Sequence, residues 1–285
     1  MERNKITFWG VRGSFPTPEK DKMDFGGHTS CISIYTKHNE LVVFDMGTGL
    51  KQLGEALIGD ISSPKEIHIL MSHYHWDHIQ GFPFFIPIYQ PGRPVHMFPT
   101  IHKKNVVLAS LIDQMDGAHF PVTPDQVPSN FNFVTENPLE FLESNGFHLE
   151  MVPMNHPGKA FGYKITIDDK IICYFTDNEI DPPYEKSIEL NELTNQCRNA
   201  DILIHDAQYT EDDMPLKHGW GHSLISQVTE LGKSAEVKNL VYYHHDPERT
   251  DDLLDKELEK AAKTLKENGS SVQPYFAYEG LKLTL

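Results

Sequence analysis

Three histidines and one aspartate fall within six residues, and this cluster constrains the chain more than any other feature of its sequence. Residues 73–78 read HYHWDH and directly follow residues 66–72, an apolar run typical of a buried strand. Side chains just past a strand end project from a rigid scaffold, where metal and catalytic sites tend to lie. Imidazole and carboxylate groups suit zinc and its first-row neighbours. The cluster comprises His73, His75, Asp77 and His78.

Four potential ligands in one loop exceed what a single tetrahedral zinc site can take if it also holds a water molecule. We therefore predict that two metal ions share this loop. The alternative interpretation is a histidine-rich turn on the protein surface.

The rest of the chain alternates strand-like and helix-like segments. Residues 31–36 and 41–46 flank a polar turn, which is a hairpin signal. Residues 251–268 carry one apolar stripe, two aspartates in the first turn and Gly269 just beyond the end, as an amphipathic helix does. Hairpins together with alternating helices indicate a mixed α/β domain in layers. We detect no repeat, linker or domain boundary, so residues 1–285 are predicted to form a single domain.

Residues 95–138 have an irregular pattern that interrupts this alternation. Residues 106–115 look helical, and prolines at 121, 124 and 128 close the region. We interpret the region as an insertion or lid that shapes a pocket, with residues 82–89 (FPFFIPIY) as a wall. Plain core packing is the alternative for both segments.

Composition narrows the classes of function. The chain has 41 acidic and 25 basic residues, for a net charge of −16, which argues against binding nucleic acid by general charge. A small anionic substrate remains compatible, because bound metal reverses the local sign of charge. Three dispersed cysteines, no apolar leader and no run of membrane-spanning length predict a cytoplasmic protein that does not bind membranes.

The histidine cluster resembles the HxHxDH motif of the metallo-β-lactamase superfamily. Four later or earlier segments resemble its other motifs, in the expected order: Asp45 in FDMGTG, His156 in MNHPG, Asp177 in YFTDNE and His244 in VYYHHDP. The resemblance covers nearly the whole chain. It implies a four-layer αββα sandwich, in which two mixed sheets are flanked by helices.

The resemblance also implies a ligand set for two divalent metals. Each metal takes three ligands of its own, which are His73, His75 and His156 for one ion and Asp77, His78 and His244 for the other. Asp177 would bridge the ions, and Asp45 would orient a ligand or hold the loop, unless it only forms a turn. His245 adjoins His244, and the resemblance favours His244. Zinc is the expected metal, with manganese or iron as alternatives, and a hydroxide shared by the ions is the expected nucleophile.

Two further segments resemble the tRNase Z branch of this superfamily. Residues 204–208 (IHDAQ) and 221–223 (GHS) resemble its His-Glu-Ala-Thr and His-Ser-Thr segments, in which an acidic residue orients a histidine. His222 would then be the general acid that protonates a departing alkoxide, and Asp206 would orient it. With Asp77, these are the expected catalytic residues. His222 alternatively only caps a helix, and His205 lies either beside the site or in the core.

One departure from that branch bears on the substrate. The stretch between Asp177 and His205 is too short for the arm with which tRNase Z proteins grip tRNA. Together with the acidic charge, this favours a small or cyclic phosphodiester, such as a cyclic nucleotide, and argues against long nucleic acid as a partner. Alternatives are a thioesterase or lactonase of the same fold, an RNA-processing nuclease, and a non-catalytic scaffold. Relatives often dimerise, so a homodimer is a candidate assembly.

Overall fold

The structure, a computed structural model, describes residues 4–37, 39–59, 64–99, 110–134, 142–143 and 147–285. The chain divides into two compact units. The first takes the described residues of Met1–Pro16, His28–Pro138 and Tyr278–Leu285, and the second takes those of Thr17–Gly27 and Leu139–Ala277. Each unit is built on one mixed β-sheet.

In the part of the chain that the structure describes, strands outnumber α-helices. The strands are β1 (Lys5–Gly10), β2 (Cys31–Tyr35), β3 (Leu41–Phe44), β4 (Ile67–Leu70), β5 (Pro94–Phe98), β6 (Asn130–Phe133), β7 (His148–Met154), β8 (Ala160–Ile167), β9 (Lys170–Phe175), β10 (Ile202–Asp206), β11 (Asn239–Tyr243), β12 (Gln273–Phe276) and β13 (Lys282–Thr284). The α-helices with both ends among the described residues are α1 (Leu50–Gly59), α2 (Leu190–Gln196), α3 (Ile225–Ser234) and α4 (Asp251–Glu267).

The sheet of the first unit has the strand order β13-β1-β2-β3-β4-β5-β6. Strands β13 to β3 pair antiparallel, and β3 to β6 pair parallel. The parallel strands β3 and β4 are buried along their whole length, as expected for strands covered on both faces. Helix α1 buries Leu50, Leu53 and Leu57 in the same core, because a spacing of three to four residues puts them on one face.

The sheet of the second unit has the strand order β12-β11-β10-β9-β8-β7. Strands β7, β8 and β9 form an antiparallel meander, and β9 to β12 are parallel. Parallel neighbours need crossover connections, which α2, α3 and α4 supply in turn. Leu254, Ala261 and Leu265 of α4 lie buried in the core of this unit. The prediction of an α/β fold with two mixed sheets and flanking helices is confirmed.

Three strands were missed, and two of them correct the interpretation of residues 95–138. Strands β5 and β6 extend the first sheet, so both ends of that region belong to the sheet and not to an insertion. Both β6 and the three-residue β13 are edge strands, which are short and carry a polar residue at every second position. Residues 100–109 and 135–138 lie outside the described residues. Of the helix predicted at 106–115, residues 106–109 fall in that gap, residues 110–112 are α-helical, and residues 113–115 form a turn of 3₁₀-helix. The lid and the single domain stay predictions.

Two further features bear on the expectations from composition. Cys31, Cys173 and Cys197 are buried thiols, and none is part of a disulfide. Among the helices that the structure describes, none has the length and apolarity required to cross a membrane.

Candidate metal centre

The donor cluster of the first unit lies in the loop after β4. The rings of His73 and His75 have centroids 4.5 Å apart, and those of His73 and His78 are 4.2 Å apart. A turn of 3₁₀-helix at Trp76–His78 folds the loop back, with the His78 amide bonded to the His75 carbonyl at 3.0 Å. The Nε2 atom of His78 then lies 3.4 Å from Oδ2 of Asp77. The four donors predicted from the HxHxDH motif are thus gathered on one short loop.

Asp45, one residue past the end of β3, anchors this loop by hydrogen bonds. Its buried carboxylate accepts hydrogen bonds from the Ser72 amide (2.7 Å), the Ser72 hydroxyl (2.8 Å) and Nδ1 of His78 (2.9 Å). Because Nδ1 of His78 donates, its Nε2 carries the lone pair that faces Asp77. The Ser72 hydroxyl hydrogen goes to Asp45, so Nδ1 of His73, 3.0 Å from Ser72 Oγ, is the donor of that pair. Both imidazoles therefore have Nε2 as the lone-pair nitrogen.

The donor cluster of the second unit centres on Asp177, two residues past β9. Its Oδ1 lies 3.4 Å from Nε2 of His244, and its Oδ2 lies 3.7 Å from Nε2 of His156. The opposite nitrogens donate to acceptors: Nδ1 of His244 to Oε1 of Gln208 (3.0 Å) and Nδ1 of His156 to the Gly221 carbonyl (2.9 Å). Each oxygen of one carboxylate therefore faces the lone pair of a different imidazole.

Burial also affects the charge of this second cluster. Asp177, His156 and His244 are all buried. Burial lowers the pKa of His156 to about 4, against the opposing charge of Asp177, so that its ring is neutral at pH 7. Zinc lies about 2.0–2.2 Å from nitrogen and oxygen ligands, which separates two tetrahedral ligands by roughly 3.4 Å. The 3.4 Å and 3.7 Å separations fit that spacing.

His222 and Asp206 form a buried pair in the same unit. Nδ1 of His222 lies 2.6 Å from Oδ2 of Asp206, and the His222 ring stacks on His244 with centroids 5.0 Å apart. The amides of Gln208 (3.0 Å) and Asn178 (3.2 Å) also donate to the Asp206 carboxylate. Burial raises the pKa of Asp206 well above its ordinary value, while His244 and the two amides act against this rise. The contacts hold the imidazole of His222 in one tautomer, with Nδ1 protonated.

Two other predicted histidines lie away from Asp177. His205 has its Nδ1 on the Asp206 carbonyl (2.6 Å) and its Nε2 beside Nδ2 of Asn178 (3.2 Å). Burial lowers its pKa to about 4, so this buried ring is a neutral support for the backbone of Asp206. His245 bonds to the Ala277 carbonyl (2.8 Å) and stacks on Phe276, whereas His244 faces Asp177.

Sequence reasoning missed the residues that orient the donors. Ser72 and Gln208 contact imidazoles of the predicted ligands, and Glu179 fixes the loop that contacts a third such imidazole. The Glu179 carboxylate accepts the amides of Gly219 (2.8 Å) and Gly221 (2.9 Å), and the Gly221 carbonyl then meets His156. Glu179 is the last residue of the YFTDNE motif, yet its partners are about 40 residues away, so no local pattern reveals the contact.

Three site residues share an uncommon backbone conformation. Asp45, Asp177 and His244 have φ values of 61°, 50° and 62°, in the left-handed region. Each lies one or two residues past the end of a strand. Non-glycine residues rarely occupy this region, and such positions cluster at functional sites.

Comparisons with known proteins identify the family of the chain. The family model described as "Beta-lactamase superfamily domain" matches residues 42–245. The chain belongs to the β-lactamase superfamily. Among its relatives in this superfamily, a protein of Staphylococcus epidermidis named ribonuclease Z is 23% identical, over 84% of this chain and 88% of its own. One of Staphylococcus saprophyticus with the same name is also 23% identical, over 92% and 94%.

Solved structures show the fold of this β-lactamase superfamily member. The metallo-β-lactamase fold protein YhfI from Bacillus subtilis matches with a TM-score of 0.66 and 19% identity, covering 99% of this chain and all of that one. A diphosphatase of the PhnP family matches with a TM-score of 0.66 and 18% identity, covering 99% and 98%. The predicted fold and superfamily are thus confirmed. The donor sets suit metal ions, and the chain is a metal-dependent hydrolase.

Proposed function

We propose that this hydrolase is a dinuclear phosphodiesterase that cleaves a small phosphodiester, such as a cyclic nucleotide. The proposed ligands are those that the motifs predict: His73, His75 and His156 for one ion, and Asp77, His78 and His244 for the other. Asp177 would serve both, and zinc is the proposed metal, with manganese or iron as alternatives. The support for two ions is the carboxylate of Asp177, which has a different imidazole lone pair in front of each oxygen.

When bound, such an ion pair supplies a nucleophilic water of lowered pKa and stabilises charge that develops on the phosphoryl oxygens. The chain's own task is to keep the ligands neutral and oriented. Hydrogen bonds from Nδ1 of His78, His156 and His244 leave Nε2 as the ligand atom of each ring. The Ser14 amide donates to Oδ2 of Asp77 at 2.7 Å and limits the rotation of that carboxylate.

The pair of His222 and Asp206 is the observation that carries the choice of a phosphodiester. Hydrolysis of an unactivated phosphodiester expels an alkoxide, which needs a proton in the transition state. The carboxylate of Asp206 holds Nδ1 of His222, so Nε2 of a protonated His222 is the atom that gives up a proton. Thioesters and lactones have better leaving groups and need this acid less. We therefore assign His222 as the general acid and Asp206 as its positioning residue.

The proposed substrate is small because the chain offers little to grip a polyanion. Its net charge is −16. Between Asp177 and His205 the structure has one helix, α2, of seven residues. The second candidate function is RNA processing, and the name ribonuclease Z of its relatives favours it. Steep loss of turnover with added salt is expected for the RNA substrate and not for a small one.

The test is a turnover screen of the metal-loaded protein against cyclic mononucleotides, cyclic dinucleotides and linear RNA. Elemental analysis should find two metal ions per chain, and fewer in Asp177→Asn. His222→Ala should slow an unactivated phosphodiester about a hundredfold or more and spare bis(4-nitrophenyl) phosphate, which has a good leaving group. His148→Ala is the matched control, because that histidine is exposed in the same unit. Equal losses on both substrates would remove the acid role, and turnover of thioesters alone would overturn the phosphodiesterase. The homodimer and the cytoplasmic location stay predictions.

A further inference from the structure

A cavity of about 460 Å³ lies in the first unit, against the loop of metal donors. Its wall includes Tyr74 and Trp76, which alternate in sequence with His73, His75 and Asp77. Tyr74 and Trp76 are each the direct chain neighbour of a proposed ligand, and the Cα atoms of such neighbours are about 3.8 Å apart. Its volume is within the range of small-molecule sites. The cavity wall and the four proposed ligands of the first unit therefore share one loop.

The cavity is lined by aromatic faces that the fold leaves accessible. The Trp76 residue is 80% exposed and Phe84 is 54% exposed, although both are large and apolar. The rings of Phe84 and Phe120 meet edge to face, with centroids 5.3 Å apart. Exposed aromatic residues grouped in a concave site indicate a ligand with a flat ring, because stacking then covers both partners.

Polar side chains also line the cavity. Asp113 and Gln114 line the same cavity, and Nδ1 of the neighbouring His119 is 2.9 Å from Asp116. The Gln114 side-chain amide donates to the Ser110 carbonyl at 2.9 Å, which holds it in place. A carboxylate accepts hydrogen bonds from the exocyclic amino group of a base, whereas an acyl chain has nothing to offer it. The mixed lining favours a nucleobase over an aliphatic group.

We propose that this cavity is the base-binding subsite, in which the nucleobase of the substrate stacks on Trp76 while its phosphodiester lies at the metal donors. This inference rests on the proposed function, which it makes more specific: the substrate carries a base. Stacking of one base on an aromatic side chain typically changes affinity by about tenfold or more.

The first experiment measures binding without catalysis. Adenosine and guanosine are titrated into the metal-free protein, and binding is read by equilibrium dialysis and by tryptophan emission. Trp76→Ala should weaken nucleoside binding at least tenfold, and Trp76→Phe should retain most of it. Tyr278→Ala is the control, because Tyr278 is exposed in the same unit and does not line the cavity. Unchanged binding in Trp76→Ala, or binding of decanoate in place of nucleosides, would overturn the subsite.

The second experiment uses the metal-loaded enzyme. A nucleoside 3′,5′-cyclic phosphate is compared with the same compound in which hydrogen replaces the base. Trp76→Ala should raise KM for the first at least tenfold and leave KM for the second within twofold. Equal changes for both compounds would overturn the proposal. If no phosphodiester is turned over, the proposed function fails, and the dialysis experiment still decides whether nucleosides bind at this cavity.

Discussion

The Oε1 atom of Gln208 lies 3.0 Å from Nδ1 of His244 and fixes which nitrogen of that ring faces Asp177. The backbone amide of the same glutamine donates to Oδ1 of Asp206 at 3.0 Å. One residue therefore contacts both a proposed metal ligand and the partner of the proposed acid. The side chain of Gln208 makes the contact with His244, and its backbone makes the contact with Asp206. A substitution of Gln208 therefore changes the first contact and keeps the second.

Gln208→Leu should lower metal affinity about 10- to 100-fold, because His244 loses the acceptor that sets its tautomer. The backbone amide that supports Asp206 stays in place. Competition with a chelator of known affinity measures the change. Gln208→Glu keeps an acceptor and should bind metal nearly as well as the wild type. Gln273→Leu, at an exposed position, is the control, and equal affinities in all four proteins would contradict this role.

Asp45→Asn should destabilise the metal-free protein by about 3 kcal/mol. The three hydrogen bonds of the carboxylate come from donors, and the amide nitrogen of asparagine would face at least one of them. Urea denaturation of the metal-free protein gives the free energy of unfolding. Asp21→Asn, at an exposed position, should change it by less than about 0.5 kcal/mol. A loss of metal binding with unchanged stability would mean that Asp45 acts on the ligands alone.

Gly221→Ala should disrupt the second donor cluster. Gly221 has a φ of +94°, and a Cβ atom there would lie 2.2 Å from Nδ1 of His156. We expect a loss of about 3 kcal/mol in unfolding free energy and at least tenfold weaker metal binding. Gly280→Ala is the matched control, since its φ is +86° and nothing lies within 4 Å of the added carbon. That variant should lose only about 1 kcal/mol, the cost of the backbone conformation. Similar effects of the two substitutions on metal binding would refute the steric argument.

Acid should destabilise the fold partly through His68. Burial, aided by the charge of His96, lowers the pKa of His68 to about 4 from an ordinary value of 6.5. Between these values the unfolded chain takes up a proton that the folded chain does not, so stability falls as the pH falls from 6.5 to 4. The contribution is up to about 3 kcal/mol.

His68→Gln removes that contribution, so its unfolding free energy should fall less steeply over the same pH range. Denaturant titrations at half-unit steps of pH measure both slopes. His148→Gln, at an exposed site in the second unit, is the control. Parallel pH profiles for the wild type and His68→Gln would show that this histidine does not contribute.

Much of the fold could be predicted from sequence because most strands are continuous apolar runs and α4 has a clear stripe. The helix predicted at residues 251–268 is Asp251–Glu267 in the structure, and the hairpin of β2 and β3 is present. Prediction failed for β5, β6 and β13, of which β6 and β13 are the two edge strands of the first sheet. An edge strand pairs on one side only and can be short and polar, so pairing with its neighbour, and not its own pattern, makes it a strand.

The predicted ligands of the candidate site could be read from the sequence, whereas the residues that orient them could not. The predicted metal ligands stand out because histidine and aspartate recur at strand ends in a known order. The residues that orient them do not, since Gln208 or Gly221 contacts its imidazole across 36 or 65 residues of chain. Serine, glutamine and glycine are common residues, and only the folded chain shows which of them accepts a hydrogen bond from a predicted ligand.

The left-handed backbone at Asp45, Asp177 and His244 has a consequence for mutagenesis. Alanine, and still more valine or isoleucine, resists this conformation, which costs an L-residue about 1–2 kcal/mol. An alanine scan at these three positions would therefore confound a lost side chain with a displaced main chain. Asparagine tolerates the conformation, and it is the replacement that reports on chemistry alone.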